Sequence, residues 1–245
     1  MKLAIKSAVA FALASAMLPA IALRPEYTQA DLSTLPVYCD DTEGFNHTSK
    51  WTKNQSPRGP YWESVMGPDF WWMHHYCWAL LAINKSERPM TVPGWTKKRH
   101  LENARMELVS TIHWVNDRFV LLPEIYTKLG EVEVELSKFG ELSHTGGAYS
   151  AFLSARTMKP DYWPAYAGWA RVLIQSGQKK EAEKLLRSGL EYSPDSSVLK
   201  ELYRSVGGDP SKIVPVARAV NEAKNADGSG EEPQSAAPRA KVSAP

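Results

Sequence analysis

The sequence predicts an all-α protein: a short right-handed α-solenoid of antiparallel helix pairs, carrying an extended N-terminal arm. Three observations predict it. Two helix-ending prolines, Pro160 and Pro194, stand 34 positions apart (194 − 160), a period proper to stacked helix-turn-helix units. Apolar residues recur at helical spacing from Phe70 to Val206. Between these runs fall breakers: Pro89, Pro93 and Gly94, then Gly146-Gly147, Gly177 and Gly207-Gly208.

Residues 1–22 read as a secretory leader. Lys2 and Lys6 open it, Ala8 to Leu18 is apolar, and Ala20-Ile21-Ala22 is a small-x-small cleavage site. A bilayer anchor asks for about 20 apolar residues, more than this run supplies. The mature chain is therefore expected to start near Leu23, in a periplasmic or secreted setting, with no stable membrane span. Without Lys2 and Lys6 it holds 27 basic residues (29 − 2) against 27 acidic ones. Such a balance gives no general pull toward nucleic acid or anionic lipid. Two cysteines, Cys39 and Cys77, make an even count that favours a disulfide in an exported chain.

Residues 23–60 carry Pro25, Pro36, Gly44, Pro57, Gly59 and Pro60 and read as an extended arm that a Cys39–Cys77 bridge would hold down. Asp40 and Asp41 lie in it as solvated loop carboxylates. Residues 61–122 form an aromatic-rich helix pair. Gly67-Pro68-Asp69 marks a helix start, after which Phe70, Met73, Cys77, Leu80 and Leu81 follow helical spacing. Trp71, Trp72, Tyr76, Trp78 and Ile83 fill the other faces, which predicts a buried helix. Its partner shows the stripe Leu101, Ala104, Leu108, Ile112, Val115 and Phe119.

Residues 123–208 hold the repeat units. Pro123 suits a first helical turn, and Ile125, Leu129, Val132, Leu136 and Phe139 give a helical stripe. The stretch Glu131 to Leu136 also alternates as a strand would, but the longer helical stripe outweighs it. His144-Thr145-Gly146-Gly147 is read as a break, with Ala148 to Met158 as the return helix. Tyr162 to Ser176 and Lys179 to Tyr192 form the next pair, with Gly177 at the first helix's C-terminal end. Lys179, Lys180, Lys184 and Arg187 make the second helix's wet face. Ser196 to Val206 is a further helix. Residues 209–224 are expected to contain a capping helix, and 225–245 to be disordered for want of apolar side chains.

The pair from Tyr162 to Tyr192 resembles a tetratricopeptide repeat. Tyr166 stands at the family's first large aromatic, and Trp169-Ala170 replaces its Leu-Gly pair. Leu173, Gly177, Ala182, Leu186, Gly189 and Pro194 fill the remaining pattern positions. The preceding unit matches at Ala148, Phe152, Ala155 and Pro160, but has Glu135-Leu136 where Leu-Gly would stand. The resemblance spans Glu124 to Val206 and implies a non-enzymatic scaffold whose first helices line a concave groove. Carried onto this chain, the groove residues are Glu133 and Ser137 in one unit and Arg171, Ile174 and Gln175 in the next. Arg171 is the expected anion or carboxylate contact. The implied partner is a peptide, a protein or another component of the cell envelope, and no cofactor is implied.

Two other functions are weighed. His74 and Cys77 stand three apart on a helix and could share a metal with one of His47, His100, His113 or His144, which would make a metal-dependent enzyme around His74 and His75. No recognised ligand spacing joins them, and a bridged Cys77 beside a hydrogen-bonded histidine is the plainer account. Tyr61, Trp62, Trp71, Trp72, Trp78, Trp95 and Trp114 could stack on sugars of an envelope polysaccharide, whereas core packing is the usual role of such rings. No nucleophile elbow, zinc-protease helix, phosphate loop or haem-attachment motif is present.

Overall fold

A computed structural model of the chain describes residues 27–45, 56–88, 96–140 and 143–216. Among them, all regular structure is helical. The short helix α1 (Gln29–Leu32) and a 3-10 turn (Val37–Asp41) are followed by α2 (Gly59–Met66) and a second 3-10 turn (Pro68–Trp72). Then come α3 (Met73–Ser86), α4 (Lys97–Trp114), α5 (Leu122–Ser137) and α6 (Ser143–Met158). The chain continues through α7 (Trp163–Gln175), α8 (Lys179–Tyr192) and α9 (Ser197–Ser205) to a 3-10 turn (Pro210–Lys212). The leader, the tail and residues 217–224 of the expected capping helix lie outside the described residues, and the 3-10 turn Pro210–Lys212 occupies the part that is described.

From α3 onward, each helix packs on its successor, and α7 also packs on both α5 and α9. Consecutive pairs therefore nest, as expected of a helical solenoid. The largest core runs from Leu32 to Leu136, and smaller clusters sit between α6 and α7 and around α7, α8 and α9. Each pair contributes a stripe that would stay wet alone, so stacking supplies most of its burial.

The arm is clamped more firmly than its composition suggests. Cys39 and Cys77 form a disulfide and are fully buried. Phe45 packs on Trp78 with ring centroids 4.3 Å apart, and Tyr27 meets the same indole at 5.5 Å. Asp41 is buried, contrary to its expected place in solvent, because three donors converge on it. It accepts from Trp62 Nε1 at 2.7 Å and from the Ser56 hydroxyl, and pairs with Arg58 at 3.0 Å. Asp40 remains exposed.

Asp31 is the second buried carboxylate. It closes a capping box with Thr28, binds Arg88, and lies 3.8 Å from Lys85 Nζ. Burial alone would raise its pKa, but hydrogen bonds from Thr28 and Arg88 and the Lys85 charge leave it below the ordinary carboxylate value. A depressed folded-state pKa contributes stability above the ordinary value and loses it as pH falls through the depressed one. Asp31→Asn is expected to lower stability at pH 7 by about 1–2 kcal/mol, with the deficit shrinking below about pH 4. Equal denaturant midpoints for the two proteins at pH 7 would count against this clamp.

Two helix boundaries depart from expectation. α4 ends at Trp114, so Val115 and Phe119 reach the core from a turn. α6 starts at Ser143, so Gly146 and Gly147 lie inside it and do not break the chain. Gly147 has a packing reason. A Cβ there would stand 2.9 Å from Glu133 Cδ on α5. Its missing side chain makes room for a buried carboxylate.

Candidate functional site

The resemblance implies a groove lined by the first helices of successive pairs, here α5, α7 and α9, which pack in a row, so the expected lining depends on the register of α5 against α6. Phe152 on α6 sets that register. Its ring is buried, and a Cβ on Gly130 of α5 would stand 2.8 Å from Phe152 Cζ. On the other side, a Cβ on Gly168 of α7 would stand 2.4 Å from Phe152 Cε1. One ring is thus wedged between two helix backbones that approach closely only through glycine.

Gly130 places Tyr126-x-x-Leu129-Gly130 where the aromatic and the Leu-Gly pair of the repeat belong. Tyr126 and Tyr166 stand 40 positions apart (166 − 126), not 34. The burial pattern follows the same offset: Ile125 and Ala165, Gly130 and Ala170, and Glu133 and Leu173 are all buried, while Glu131 and Arg171 are both exposed. The extra residues lie between Glu135 and Thr145, where they lengthen the end of α5, the connection and the start of α6. The period measured between prolines is sound for second helices, but it misplaces this first helix.

The correction moves two predicted site residues. Glu133 is buried, accepting from Arg105 Nε at 2.7 Å and pairing with His144 Nδ1. It joins α4, α5 and α6 from inside and offers nothing to a groove. Ser137 is half-buried and donates to the Val134 carbonyl at 2.8 Å. In their place the offset puts Glu131, Val134 and Glu135, the counterparts of Arg171, Ile174 and Gln175. Glu131 is exposed and held by Lys128 at 2.8 Å. Glu135 receives Lys97 at 3.3 Å and Lys138. Burial would raise its pKa, but these hydrogen bonds hold it below the ordinary value. The signal for this register was in the sequence, since Leu129-Gly130 is the repeat's own dipeptide.

On α7, Arg171 and Gln175 are exposed and Ile174 is half-buried. Arg171 makes no ion pair among the described residues. Thirty-four positions beyond it (205 − 171), Ser205 stands exposed on α9. The seam between α5 and α7 is acidic. Burial, with Glu124 and Glu131 nearby, pushes the Tyr162 phenol up to about 12. Glu124 accepts from Tyr76 on α3 at 2.6 Å, which ties the aromatic pair to the same row.

The histidine cluster is committed to internal contacts. Cys77 is in the disulfide, His74 Nδ1 bonds the Trp71 carbonyl at 2.8 Å, and His75 Nδ1 bonds Glu107 at 2.6 Å. Among the described residues, no group of three or more His, Cys, Asp or Glu side chains is placed to hold a metal. Of the aromatics, Trp71 and Trp78 are buried and serve the core. Trp72 stacks on Trp114 at 4.8 Å, with Trp114 half-exposed.

Nested helix pairs whose first helices form one continuous face define a helical-repeat protein. Residues 143–205 match the tetratricopeptide repeat family, so this segment is similar to a run of tetratricopeptide repeats, an architecture typical of protein-interaction scaffolds. The match covers α6 to α9 and leaves out α5, the helix whose unit is longer. No curated protein and no solved structure matches the chain. No described helix is long and apolar enough to cross a membrane.

Proposed function

We propose that the chain is an exported, non-catalytic scaffold that holds a peptide or protein of the cell envelope along the α5–α7–α9 face. One observation carries the reading. Glu131 and Arg171 recur at equivalent places on adjacent first helices, and both point to solvent. Alternating acid and base along a row give a bound chain direction and register. Arg171 supplies a planar fork for a carboxylate, and half-buried Val134 and Ile174 add apolar contact. The buried disulfide supports an oxidising compartment, and the leader reading supports export.

A photo-crosslinking amino acid at Gln175 tests the face in the native cell, with one at Lys184 on the exposed side of α8 as control. Adducts at Gln175 and none at Lys184 are expected. Equal labelling at both, or none at Gln175, defeats the proposal. Export is tested by the mass of the mature chain, which should begin near Leu23. A full-length chain with free Cys39 and Cys77 thiols in the cytosol would remove the envelope role.

A further inference from the structure

Arg156, in the last turn of α6, differs from three exposed arginines whose heads reach buried acids. Arg58, Arg88 and Arg105 each face a buried carboxylate: Asp41, Asp31 and Glu133 respectively. Arg156 is half-buried, and its Nη1 is closed off from solvent without a hydrogen-bond partner. No carboxylate among the described residues pairs with it. Its neighbours are rings. The guanidinium carbon lies 5.9 Å from the Tyr149 centroid, and Tyr149 tilts against Trp169 of α7 at 5.4 Å. Tyr166 lies close enough to act on its charge, and burial lowers its pKa. A cation taken out of water with only ring faces for company is costly. A buried donor left unpaired in a folded protein calls for an explanation.

We propose that Arg156 is the anchor of a second binding site, on the seam between α6 and α7, that receives a carboxylate from a bound polypeptide. Tyr149 and Leu153 are exposed on the same α6 face at i−7 and i−3, so the acid arrives over an apolar rim. Such a ligand is a peptide with an acidic group next to apolar side chains. Its carboxylate supplies the counter-charge the guanidinium lacks, in a charge-assisted bond to the nitrogens left open beside the sealed Nη1. The site stands apart from the α5–α7–α9 row and does not depend on that row binding anything.

The test titrates the full ¹⁵N-labelled chain with three small peptides: acetyl-Ala-Glu-Ala-amide, acetyl-Ala-Ala-Ala free acid, and acetyl-Ala-Gln-Ala-amide. The readouts are the Arg156 Nε–H and Trp169 indole N–H resonances. Saturable shifts with an acid and none with the neutral peptide are expected. A response to the glutamate peptide assigns a side-chain ligand, and a response to the free acid assigns a chain terminus. Arg156→Met should weaken the response at the Trp169 indole at least tenfold while leaving the unfolding midpoint equal or higher. Arg156→Lys should keep a weaker response. Silence toward both acids, an equal response to the neutral peptide, or an unchanged Trp169 response in R156M overturns the site.

Discussion

Phe152→Ala is expected to destabilise the protein by about 3–5 kcal/mol, because a fully buried ring is lost from a gap that rigid helices cannot close. The stronger form of the prediction concerns the glycines on either side. In an exposed helix interior, Gly→Ala normally stabilises by about 1 kcal/mol. At Gly168 the new methyl would meet Phe152 Cε1 at 2.4 Å, and at Gly130 it would meet Cζ at 2.8 Å. Gly168→Ala should therefore destabilise by about 1–3 kcal/mol. In the Phe152→Ala background the same change should become stabilising, since the obstructing ring is gone. Chemical denaturation of the four proteins gives the coupling directly. An additive cycle would mean that the ring does not set the spacing of α5, α6 and α7.

The second large effect is that of the disulfide. Cys39 and Cys77 are 38 residues apart, and closing a loop of that size contributes about 4 kcal/mol on the chain-entropy model. Loss of the bridge should lower the thermal midpoint by about 10 °C for a chain of this size. The effect should be regional as well. Asp31 with Arg88, and Asp41 with Trp62, act locally, so the reduced arm should loosen before α7 to α9 respond. Thermal melts with and without reductant, followed by tryptophan fluorescence, to which seven of the nine rings contribute from Trp51 to Trp114, and by far-ultraviolet dichroism, separate the two. Coincident curves with unchanged midpoints would show that the aspartates alone suffice.

Helix pairing was legible in the sequence because apolar spacing and proline placement are local signals. α7 and α8 follow their stripes closely, and even the alternating stretch from Glu131 to Leu136 is helical, since Ile125, Val132 and Leu136 share one buried face. What was not legible depended on contacts made at a distance. Asp41 resembles any loop acid until Trp62, Ser56 and Arg58 converge on it. Gly147 resembles a break until Glu133 fills the space beside it. Glu133 is buried and Ser137 half-buried, against their expected exposure, because a constant period was imposed on a unit whose helices and connection are longer. Tyr126 and Leu129-Gly130 carried the correction. Arg156 has no sequence signature, since its distinction is the absence of a carboxylate such as Arg58, Arg88 and Arg105 each meet.

The two ends of the stack are unlike. One is cross-linked through Cys39 and Cys77 and held by two interior acids. At the other, the described residues run through the nine-residue α9 and a 3-10 turn, with Val214 largely in solvent. In an array whose members interact mainly with neighbours, such asymmetry gives melting a direction. Amide exchange should be slowest in α3 and α4 and quicken helix by helix toward α9. The C-terminal repeats would then yield first under load, while the covalently tied base keeps its shape.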